Sequence, residues 1–405
     1  MPAVLEPVLI IGTGLGGLAL AQGLRKASHP FKIYERLPKN TSRGQGYRIR
    51  LHGEGLRSLR ANLTPELWDL FEETCAETRL GPLPNINAVT CEFTAANFGA
   101  NNPQGKLNQS AEKPYTVDRA VLRDVLLTGL DEYITYGKEY KQYTLTDAGV
   151  TASFSDGTEQ KGALIIGADG ARSAVRKQYA PSLRVLDTKI RPVYGKTPLS
   201  PSLERRSLPK ALDVLSFIRD TVAPSLTLME AIRFLPKEQR KDKRDLPEDY
   251  VYWTIIPPSS YDAEQEKQAD KHAAVQLSEE LSAHWNPALK ILIDEQDGTQ
   301  TGAFNLLSAD AESLQVPWES NGKVTIMGDA AHAMLPSTAS GAVTALKDAE
   351  ALAHAICQEG MTEDSISRYE AEMRKYASEA VATSAKIGAM VFGLGVMSDA
   401  EPLAM

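Results

Sequence analysis

Short runs of apolar residues, each followed by glycine, small residues or an acid, recur at both ends of this chain. They occupy residues 8–11, 31–34, 164–166 and 324–327. Short runs without polar alternation are typical of strands buried on both faces, and helix-like segments follow three of them. The pattern therefore predicts an α/β fold.

Two helices are predicted from their apolar faces. Within residues 118–127, four apolar positions share one helix face. A longer helix is predicted from Gly341 to Gln358, with Ser340 as its N-cap and Gly360 beyond its end. Its apolar face consists of Leu346, Ala349, Ala353 and Ile356.

The pattern changes between about residues 186 and 317, where β-branched and aromatic runs such as 250–256 alternate with polar segments. This composition predicts a second domain built on a mixed or antiparallel sheet. The charge-dense residues 237–245 are expected to form a solvated loop, and residues 98–113 an irregular one. Residues 150–158 predict a hairpin strand and its turn.

At 405 residues the chain is long enough for about two domains. We expect a discontinuous nucleotide-binding domain of residues 1–75, 114–185 and 318–375, a substrate domain of residues 76–113 and 186–317, and a C-terminal helical segment of residues 376–405.

Composition restricts the partners and the compartment. A net charge of −8 disfavours nucleic acid and anionic membrane, because both require a basic face. Three widely spaced cysteines predict a reducing, cytoplasmic setting without disulfides or a metal site. No run reaches the roughly 18 apolar residues of a spanning helix, and the glycine-containing stretch 387–397 is expected to pack as a C-terminal element. The oligomeric state stays open and includes a monomer.

Gly12, Gly14 and Gly17 fill the glycine positions of a dinucleotide fingerprint between the first strand and the first helix. The first permits a sharp turn, the second lets a pyrophosphate approach the backbone, and the third lets the helix pack closely. Glu35 lies 23 residues after Gly12, where a carboxylate accepts from an adenosine ribose and repels a 2′-phosphate. FAD or NAD therefore fits better than NADP, and only the adjacent Arg36 favours a phosphate.

A second acid lies at the end of a predicted strand roughly three hundred residues later. Asp329 follows Gly328 at the carboxyl end of the run 324–327, where open α/β sheets place their ligands. Its carboxylate can accept from sugar-alcohol hydroxyls, and the positive end of the helix that begins at Gly341 is expected to point at the same ligand.

Three separated segments together resemble the signature set of single-component flavoprotein monooxygenases of the para-hydroxybenzoate hydroxylase type. They are Gly12-Thr13-Gly14-Leu15-Gly16-Gly17 with Glu35, Gly167-Ala168-Asp169-Gly170, and Gly328-Asp329-Ala330-Ala331-His332 continuing to Pro336. The resemblance covers most of the chain, and the middle domain matches in position and composition. It implies a Rossmann-like FAD-binding domain, a second mixed or antiparallel-sheet substrate domain and a C-terminal helix.

The resemblance also implies roles for individual residues along a bound FAD. Glu35 would bind the adenosine ribose, and Asp329 would hold a ribityl hydroxyl. Arg43 and Arg119 would lie along the ribityl and phosphate path. Asp169, with the glycine after it, would serve both the FAD region and the nicotinamide cofactor.

The segment after Pro336 would contact the flavin ring itself. Backbone N–H groups of Gly341, Ala342 and Val343 would meet the pyrimidine edge, and the helix dipole would stabilise a reduced, anionic flavin. The family pattern usually has Gly-x-Gly and an Asn here, whereas this chain has Ala339 at the first glycine and Val343 at the asparagine. We expect altered backbone freedom and the loss of one polar contact beside the isoalloxazine.

The activity that the resemblance implies is monooxygenation, most simply hydroxylation. NAD(P)H would bind transiently and reduce FAD, O₂ would form a flavin C4a-hydroperoxide, and one oxygen atom would pass to the substrate. Epoxidation and Baeyer–Villiger insertion share these early steps and stay open. A largely apolar aromatic or polycyclic substrate of secondary metabolism is expected, since the middle domain has no charge cluster beyond residues 237–245.

Substrate-side residues are less clearly marked. Arg219 and Tyr194 fall where the family places pocket and flavin-contacting groups and are the catalytic candidates, although a solvated arginine and a packed tyrosine are the simpler interpretations. His332 titrates near neutrality in its free form, but within this motif we expect a structural role at the flavin edge.

Three alternatives stay open. A halogenase of this fold would carry Trp-x-Trp-x-Ile-Pro, but aligned on the Ile-Pro pair at 256–257 the tryptophan positions hold Tyr252 and Thr254, and Trp253 falls on the spacer. A flavin reductase or dehydrogenase would turn over without O₂. A non-catalytic relative would bind FAD without turnover. The only support for this alternative is the pair of departures, Ala339 and Val343, in residues 336–343, which we call the flavin segment.

Overall fold

The computed structural model describes residues 6–39, 41, 47–95, 113–147, 149–257, 271–392 and 400–403. Arg43 lies outside the described residues. So do most of the loop predicted at 98–113 and the end of the element predicted at 387–397.

Strands and helices alternate at both ends of the chain, and strands dominate its middle. The strands are β1 (Val8–Ile11), β2 (Phe31–Glu35), β3 (Arg48–Leu51), β4 (Pro84–Asn87), β5 (Phe93–Ala95), β6 (Tyr115–Asp118), β7 (Ile134–Tyr136), β8 (Tyr140–Thr146), β9 (Gly149–Phe154), β10 (Glu159–Gly162), β11 (Leu164–Gly167), β12 (Val185–Asp187), β13 (Val193–Pro198), β14 (Ser216–Arg219), β15 (Leu226–Ile232), β16 (Tyr250–Ile256), β17 (Gly302–Ala303), β18 (Leu307–Ala309), β19 (Val324–Ile326) and β20 (Glu401–Pro402). The helices are α1 (Leu15–Lys26), α2 (Gly53–Asn62), α3 (Pro65–Thr74), α4 (Arg119–Leu127), α5 (Ala174–Tyr179), α6 (Pro201–Arg206), α7 (Lys271–Leu281), α8 (Pro287–Asp294), α9 (Ala311–Gln315), α10 (Asp329–His332), α11 (Gly341–Cys357) and α12 (Glu363–Phe392).

The first sheet joins strands from distant parts of the chain in the order β19-β11-β1-β2-β7. All neighbouring pairs run parallel. Every residue of β1, β11 and β19 is buried, because helices pack against the sheet, among them α1 on β1 and β2 and α5 on β11 and β19. This burial on both faces explains the apolar runs without alternation and confirms the predicted Rossmann-like α/β fold.

The second sheet has the order β17-β13-β16-β15-β14-β4-β5. Only β14 and β4 pair in parallel, and the other neighbours are antiparallel, so the predicted mixed sheet is confirmed. One face packs on α7 and α8 through a core that includes Met229, Trp253 and Leu289. We call the opposite face, which carries Tyr194, Tyr252 and Thr254, the inner face.

The two helices predicted from their apolar faces are both present. In α4 the buried residues are Val121, Leu122, Val125 and Leu126. Helix α11 begins at Gly341 after Ser340, but the Ser340 side chain does not cap it. Capping side chains need an extended backbone at the N-cap, whereas Ser340 has φ −91° and ψ −19° and its Oγ donates to the Thr338 carbonyl at 3.3 Å.

The chain ends in a long helix that packs on the first sheet's helices. Helix α12 runs without interruption across residue 376, the predicted start of the C-terminal segment. It contacts α9 and α11 and buries Ile366, Met373 and Val381. Among the described residues, no helix combines the length and apolar character needed to cross a membrane.

Candidate functional site

Four of the predicted site segments meet at one edge of the parallel sheet. Thr13 follows β1, Glu35 ends β2, Asp169 follows β11 and Asp329 follows β19. Because these strands are parallel neighbours, their carboxyl ends share one edge, and ligands of open α/β sheets bind there.

The fingerprint turn has the geometry that its glycines allow. Gly12 has φ +109°, and a Cβ there would collide with the carbonyl oxygen of Ala168. At Gly17 a Cβ would lie 2.8 Å from the Gly12 carbonyl oxygen, so the helix can approach the strand only with glycine. Helix α1 begins after Gly14 without a side-chain cap, which leaves its first N–H groups available to an anion.

Glu35 is fixed against this turn. Its Oε2 accepts from the Thr13 N–H at 3.0 Å and from the Thr13 hydroxyl at 2.6 Å, and the side chain is buried. Arg123, which the sequence reasoning missed, donates to the Thr13 hydroxyl at 3.0 Å and to its carbonyl at 3.3 Å. The sequence feature that could have identified Arg123 is its spacing, because it lies one helical turn after the predicted site residue Arg119 on α4.

The other predicted basic residues are placed differently. Arg119 lies over the Tyr47 ring at 5.2 Å, while its backbone N–H donates to the Tyr47 carbonyl at 3.1 Å. Arg36 is exposed just after β2.

The Asp169 carboxylate caps helix α5. It accepts from the Ala174 N–H at 2.8 Å, from the Val175 N–H at 3.3 Å and from the Ser173 hydroxyl. Burial raises the pKa of this carboxyl, although these hydrogen bonds oppose the shift. The cofactor role that the resemblance implies for Asp169 stays a prediction.

Asp329 is the exposed member of an otherwise buried motif. Its carboxylate accepts no hydrogen bond from the part of the chain that the structure describes. Behind it, His332 is fully buried and its Nε2 donates to Asp348 Oδ2 at 2.6 Å. Burial opposes the charge on His332, but the attraction and hydrogen bond of Asp348 prevail and raise its pKa. Its burial and its bond to Asp348 agree with the structural role expected for His332, which stays a prediction.

The two departures after Pro336 have structural consequences. Ala339 adopts φ +54° and ψ +25°, a left-handed conformation that costs an L-residue about 1 kcal/mol. Val343 packs against α2, where a Cβ added to Gly55 would lie 2.9 Å from Val343 Cγ2. Glycine at 55 thus makes room for valine at 343 in the packing of α2 on α11.

The left-handed backbone at Ala339 leads to a stability prediction. Ala339→Gly should raise the free energy of unfolding by about 0.5–1 kcal/mol, because glycine adopts this conformation without strain. Urea denaturation of the apoprotein measures the difference. As the matched control, Ala342→Gly in the first turn of α11 should lower stability by about 0.5–1 kcal/mol, and a loss of stability in both variants would contradict the assignment.

Aromatic rings lie together at the inner face of the second sheet. We define the aromatic cluster as Tyr47, Tyr194, Tyr252 and Phe304. Ring centroids of Tyr194 lie 6.5 Å from Tyr47 and 5.7 Å from Phe304. Tyr252 is partly exposed and its hydroxyl hydrogen-bonds Thr254 Oγ1. Tyr194 itself is buried.

The cluster lies beside the flavin segment. Leu335, immediately before Pro336, is buried in one apolar group with Ile256 and Leu306, against which Leu228 and Phe304 pack. The inner face therefore meets the residues that lead into α11. Trp253 points to the opposite face, where its Nε1 donates to Thr197 Oγ1 at 3.0 Å, so the tryptophan of the halogenase alternative lies away from this cluster.

The structure does not bring the two catalytic candidates together. Tyr194 lies on β13 and Arg219 on β14, and β16 and β15 separate these strands. Three strand spacings amount to about 14 Å. Arg219 is exposed at the end of its strand, as its simpler interpretation predicts.

Buried charges connect the two-stranded sheet of β3 and β6 with the seven-stranded sheet, and no local sequence pattern signalled these contacts. Asp118 Oδ2 accepts from Lys196 Nζ and from the Tyr250 hydroxyl, both at 2.7 Å. Glu230 pairs with both Arg48 and Arg50. We call Glu230 and its two arginines the interdomain ion cluster.

The residues at the carboxyl edge fit a dinucleotide that runs from β2 to β19. The Gly12 turn is a cradle that a side chain would fill, and two helices, α1 and α11, begin without side-chain caps. Asp329 presents a carboxylate to this edge. Uncapped helix N-termini suit the pyrophosphate and an electron-rich ring edge, and a carboxylate suits hydroxyl groups.

Known proteins resemble the chain in sequence. The family described as "FAD binding domain" matches residues 6–194 and 231–384. FAD-dependent monooxygenase thnD of Trichoderma harzianum is 30% identical over 399 residues, which are 93% of this chain and 91% of that protein. Dual O-methyltransferase/FAD-dependent monooxygenase elcB of Phaeosphaeria nodorum is 36% identical over 381 residues, which are 85% of this chain and 40% of that protein. The chain thus spans less than half the length of elcB and of the two similar CTB3 proteins.

Solved structures agree with these relatives. A putative FAD containing monooxygenase from Photorhabdus luminescens subsp. laumondii TTO1 superposes with a TM-score of 0.77 at 27% identity, covering 95% of this chain and 98% of that one. A salicylate hydroxylase substrate complex gives a TM-score of 0.68 at 21% identity, over 96% and 90% of the two chains, and shows the fold alone. The resemblance seen in the motifs is confirmed, and this chain belongs to the family of FAD-dependent monooxygenases that contain the FAD binding domain.

Proposed function

We propose that this chain inserts one oxygen atom from O₂ into an aromatic or polycyclic small molecule, most simply by hydroxylation, with NAD(P)H as the reductant. The observation that carries this proposal is the aromatic cluster on the inner face, beside Leu335 and the flavin segment. Because the FAD-dependent monooxygenases elcB and CTB3 are longer than this chain, the proposal concerns the part they share.

The cluster suits a flat, mostly apolar substrate. Tyr47, Tyr194 and Phe304 offer ring faces and edges, and aromatic rings prefer tilted or offset partners at centroid distances of about 4.5–7 Å. Leu228 and Ile256 add apolar surface. The Tyr252 and Thr254 hydroxyls supply the few polar groups that orient a ligand in such a pocket.

The chain's own residues would hold FAD along the carboxyl edge. Glu35, held by Thr13 and supported by Arg123, is proposed at the adenosine ribose, and Asp329 at a ribityl hydroxyl. The N-terminus of α11 would place its N–H groups and its positive dipole end at the pyrimidine edge of the ring, which favours negative charge there. When bound, FAD supplies the redox chemistry that activates O₂, while the inner face excludes water and orients the substrate.

The finer features of the proposal rest on general chemistry. The nicotinamide is inferred to bind transiently, since the chain carries one dinucleotide fingerprint. Free cysteines at 75, 91 and 357 suit a reducing cytoplasm. The names of elcB and CTB3 pair this chemistry with O-methylation, and such tailoring reactions are typical of secondary metabolism.

Isotope labelling tests the proposal. The chain with FAD, NADPH and a panel of phenolic and polycyclic aromatic compounds is incubated under ¹⁸O₂, and products are analysed by mass. We expect one ¹⁸O atom per product from ¹⁸O₂ and none from H₂¹⁸O. Turnover of NADPH that yields only hydrogen peroxide with every compound would contradict oxygenation, turnover without O₂ would favour a reductase, and chloride-dependent product mass would favour a halogenase.

Two tyrosines of the cluster lead to a pH prediction. Burial raises the pKa of Tyr194 and of Tyr252 to about 12, whereas an unfolded tyrosine ionises near pH 10. The folded state therefore keeps the two tyrosine protons up to a higher pH than the unfolded state does. The stability that these groups contribute is fully present below about pH 10 and is lost as the pH rises toward about 12. Tyr194→Phe should reduce the slope of unfolding free energy against pH by about 1.4 kcal/mol per unit in this window, as measured by urea denaturation. An unchanged slope would show that Tyr194 ionises normally.

A further inference from the structure

We infer that Asp348 is a positioning residue that sets the direction of Asp329 and its distance from the N-terminus of α11. The inference rests on the proposed role of Asp329 as a cofactor contact. Asp348 is fully buried on α11, two helical turns after Gly341, and is not one of the residues proposed to touch FAD.

The first link runs from Asp348 to the backbone that carries Asp329. Asp348 Oδ2 accepts from the Gly328 N–H at 2.7 Å. Gly328 has φ +59° and ψ −144°, a combination that is essentially restricted to glycine. Since Asp329 follows directly, this backbone conformation decides where its carboxylate points. The Asp348 bond is therefore the contact that selects the orientation of Asp329.

Two further links tie the same carboxylate to neighbouring helices. His332 Nε2 donates to Oδ2 at 2.6 Å, and the Tyr376 hydroxyl on α12 donates to Oδ1 at 2.6 Å. One buried side chain thus joins the end of β19, α10, α11 and α12. Hydrogen bonds to an ionised acceptor are about twice as strong as neutral ones, so the group is held as a rigid unit.

The consequence concerns two cofactor contacts that lie on different elements, Asp329 after β19 and the N-terminus of α11. Asp329 is proposed at the ribityl chain and the α11 N-terminus at the ring edge, and a single FAD must meet both. Asp348 lies on α11 and bonds the backbone next to Asp329, so it fixes one contact relative to the other. We expect its loss to weaken FAD binding without removing any group that touches FAD.

A double-mutant cycle tests the inference, with FAD dissociation constants from flavin fluorescence and apoprotein melting by circular dichroism as readouts. Asp348→Asn keeps the shape of the side chain and should weaken FAD binding about tenfold or more. In an Asp329→Ala background the same change should alter the constant by less than about twofold, because residues that act through one another are not additive. A role confined to general packing would lower the melting temperature and leave the two effects additive.

Glu370 is the matched control. It is a buried carboxylate on α12 that accepts from Thr325 on β19 and from Tyr179, both at 2.8 Å, but has no bond to Gly328. Glu370→Gln should lower the melting temperature and leave FAD affinity unchanged.

Several outcomes would overturn the inference. An unchanged FAD constant in Asp348→Asn, full additivity with Asp329→Ala, or a loss of affinity in Glu370→Gln equal to that in Asp348→Asn would each do so. If Asp348→Asn does not fold, Tyr376→Phe carries the test, with about threefold weaker binding in the wild-type background and no change in Asp329→Ala. An unchanged constant in Asp329→Ala would refute the cofactor role of Asp329 itself. Failure to oxygenate any substrate would contradict the proposed function but leave all these FAD dissociation constants unaffected. Failure of the proposed function can therefore be distinguished from failure of this inference.

Discussion

Replacing Glu230 with glutamine is expected to lower the free energy of unfolding by about 3–5 kcal/mol, because it leaves two buried guanidinium groups without their counter-charge. The Glu230 side chain is 4% exposed, and those of its partners Arg48 and Arg50 are 11% and 3% exposed. Burial, together with the charge of Arg48, already lowers the pKa of Arg50 to about 10. Urea denaturation at pH 7 measures the loss.

The matched control for Glu230→Gln is an ion pair at the surface. Lys237 Nζ lies 2.6 Å from Asp245 Oδ1, and both side chains are exposed. Asp245→Asn should cost far less than Glu230→Gln, since solvent screens exposed pairs. Equal losses in the two variants would show that the interdomain ion cluster is solvated and that its burial does not matter to stability.

Asp329→Ala is expected to weaken FAD binding by about 10- to 100-fold, because a carboxylate that accepts from a hydroxyl forms a charge-assisted hydrogen bond. The free energy of unfolding of the apoprotein should change by no more than about 0.5 kcal/mol, as for other exposed side chains without protein partners. Flavin fluorescence titration and urea denaturation measure the two quantities.

An exposed acid of the other domain provides the comparison for Asp329. Asp213 Oδ1 lies 3.9 Å from Arg79 Nη1, and the Asp213 side chain is 67% exposed. Asp213→Ala should leave both FAD affinity and stability unchanged. A similar loss of affinity in both variants would indicate a general effect of charge, and a folding defect in Asp329→Ala alone would indicate a structural role.

Local patterns in the sequence predicted the elements that form the carboxyl edge. Apolar runs identified β1, β2, β11 and β19 because strands buried on both faces cannot alternate with polar residues. Glycine spacing then identified the fingerprint turn, since its backbone and helix contacts exclude side chains. Because Glu35 and Asp329 follow such apolar runs, the sequence alone assigns both acids to strand ends.

Contacts between distant segments could not be predicted. Arg48 and Glu230 are 182 positions apart, and no local period signals their pairing. Arg219 and Tyr194 were both candidates for the substrate side, but the sheet order puts two strands between them. The packing of Val343 on Gly55 is of the same kind, because only the fold shows that α2 and α11 touch.

The side-chain cap predicted for α11 at Ser340 is absent because of the backbone conformation there. Serine is a favoured N-cap residue, yet Ser340 has helical backbone angles, and Ala339 before it is left-handed. These two residues turn the chain sharply into α11 and direct the serine hydroxyl back to Thr338. The first N–H groups of α11 are consequently left without a side-chain cap at the place where the flavin ring is proposed.

A crystal structure of the FAD complex tests the central claim most directly. We predict the adenosine ribose at Glu35, a ribityl hydroxyl within about 2.5–3.0 Å of the Asp329 carboxylate, and the pyrimidine edge at the N–H groups of residues 341–343, with the ring facing the aromatic cluster. FAD density that leaves Asp329 in solvent, or a flavin ring that lies away from the N-terminus of α11, would contradict the account.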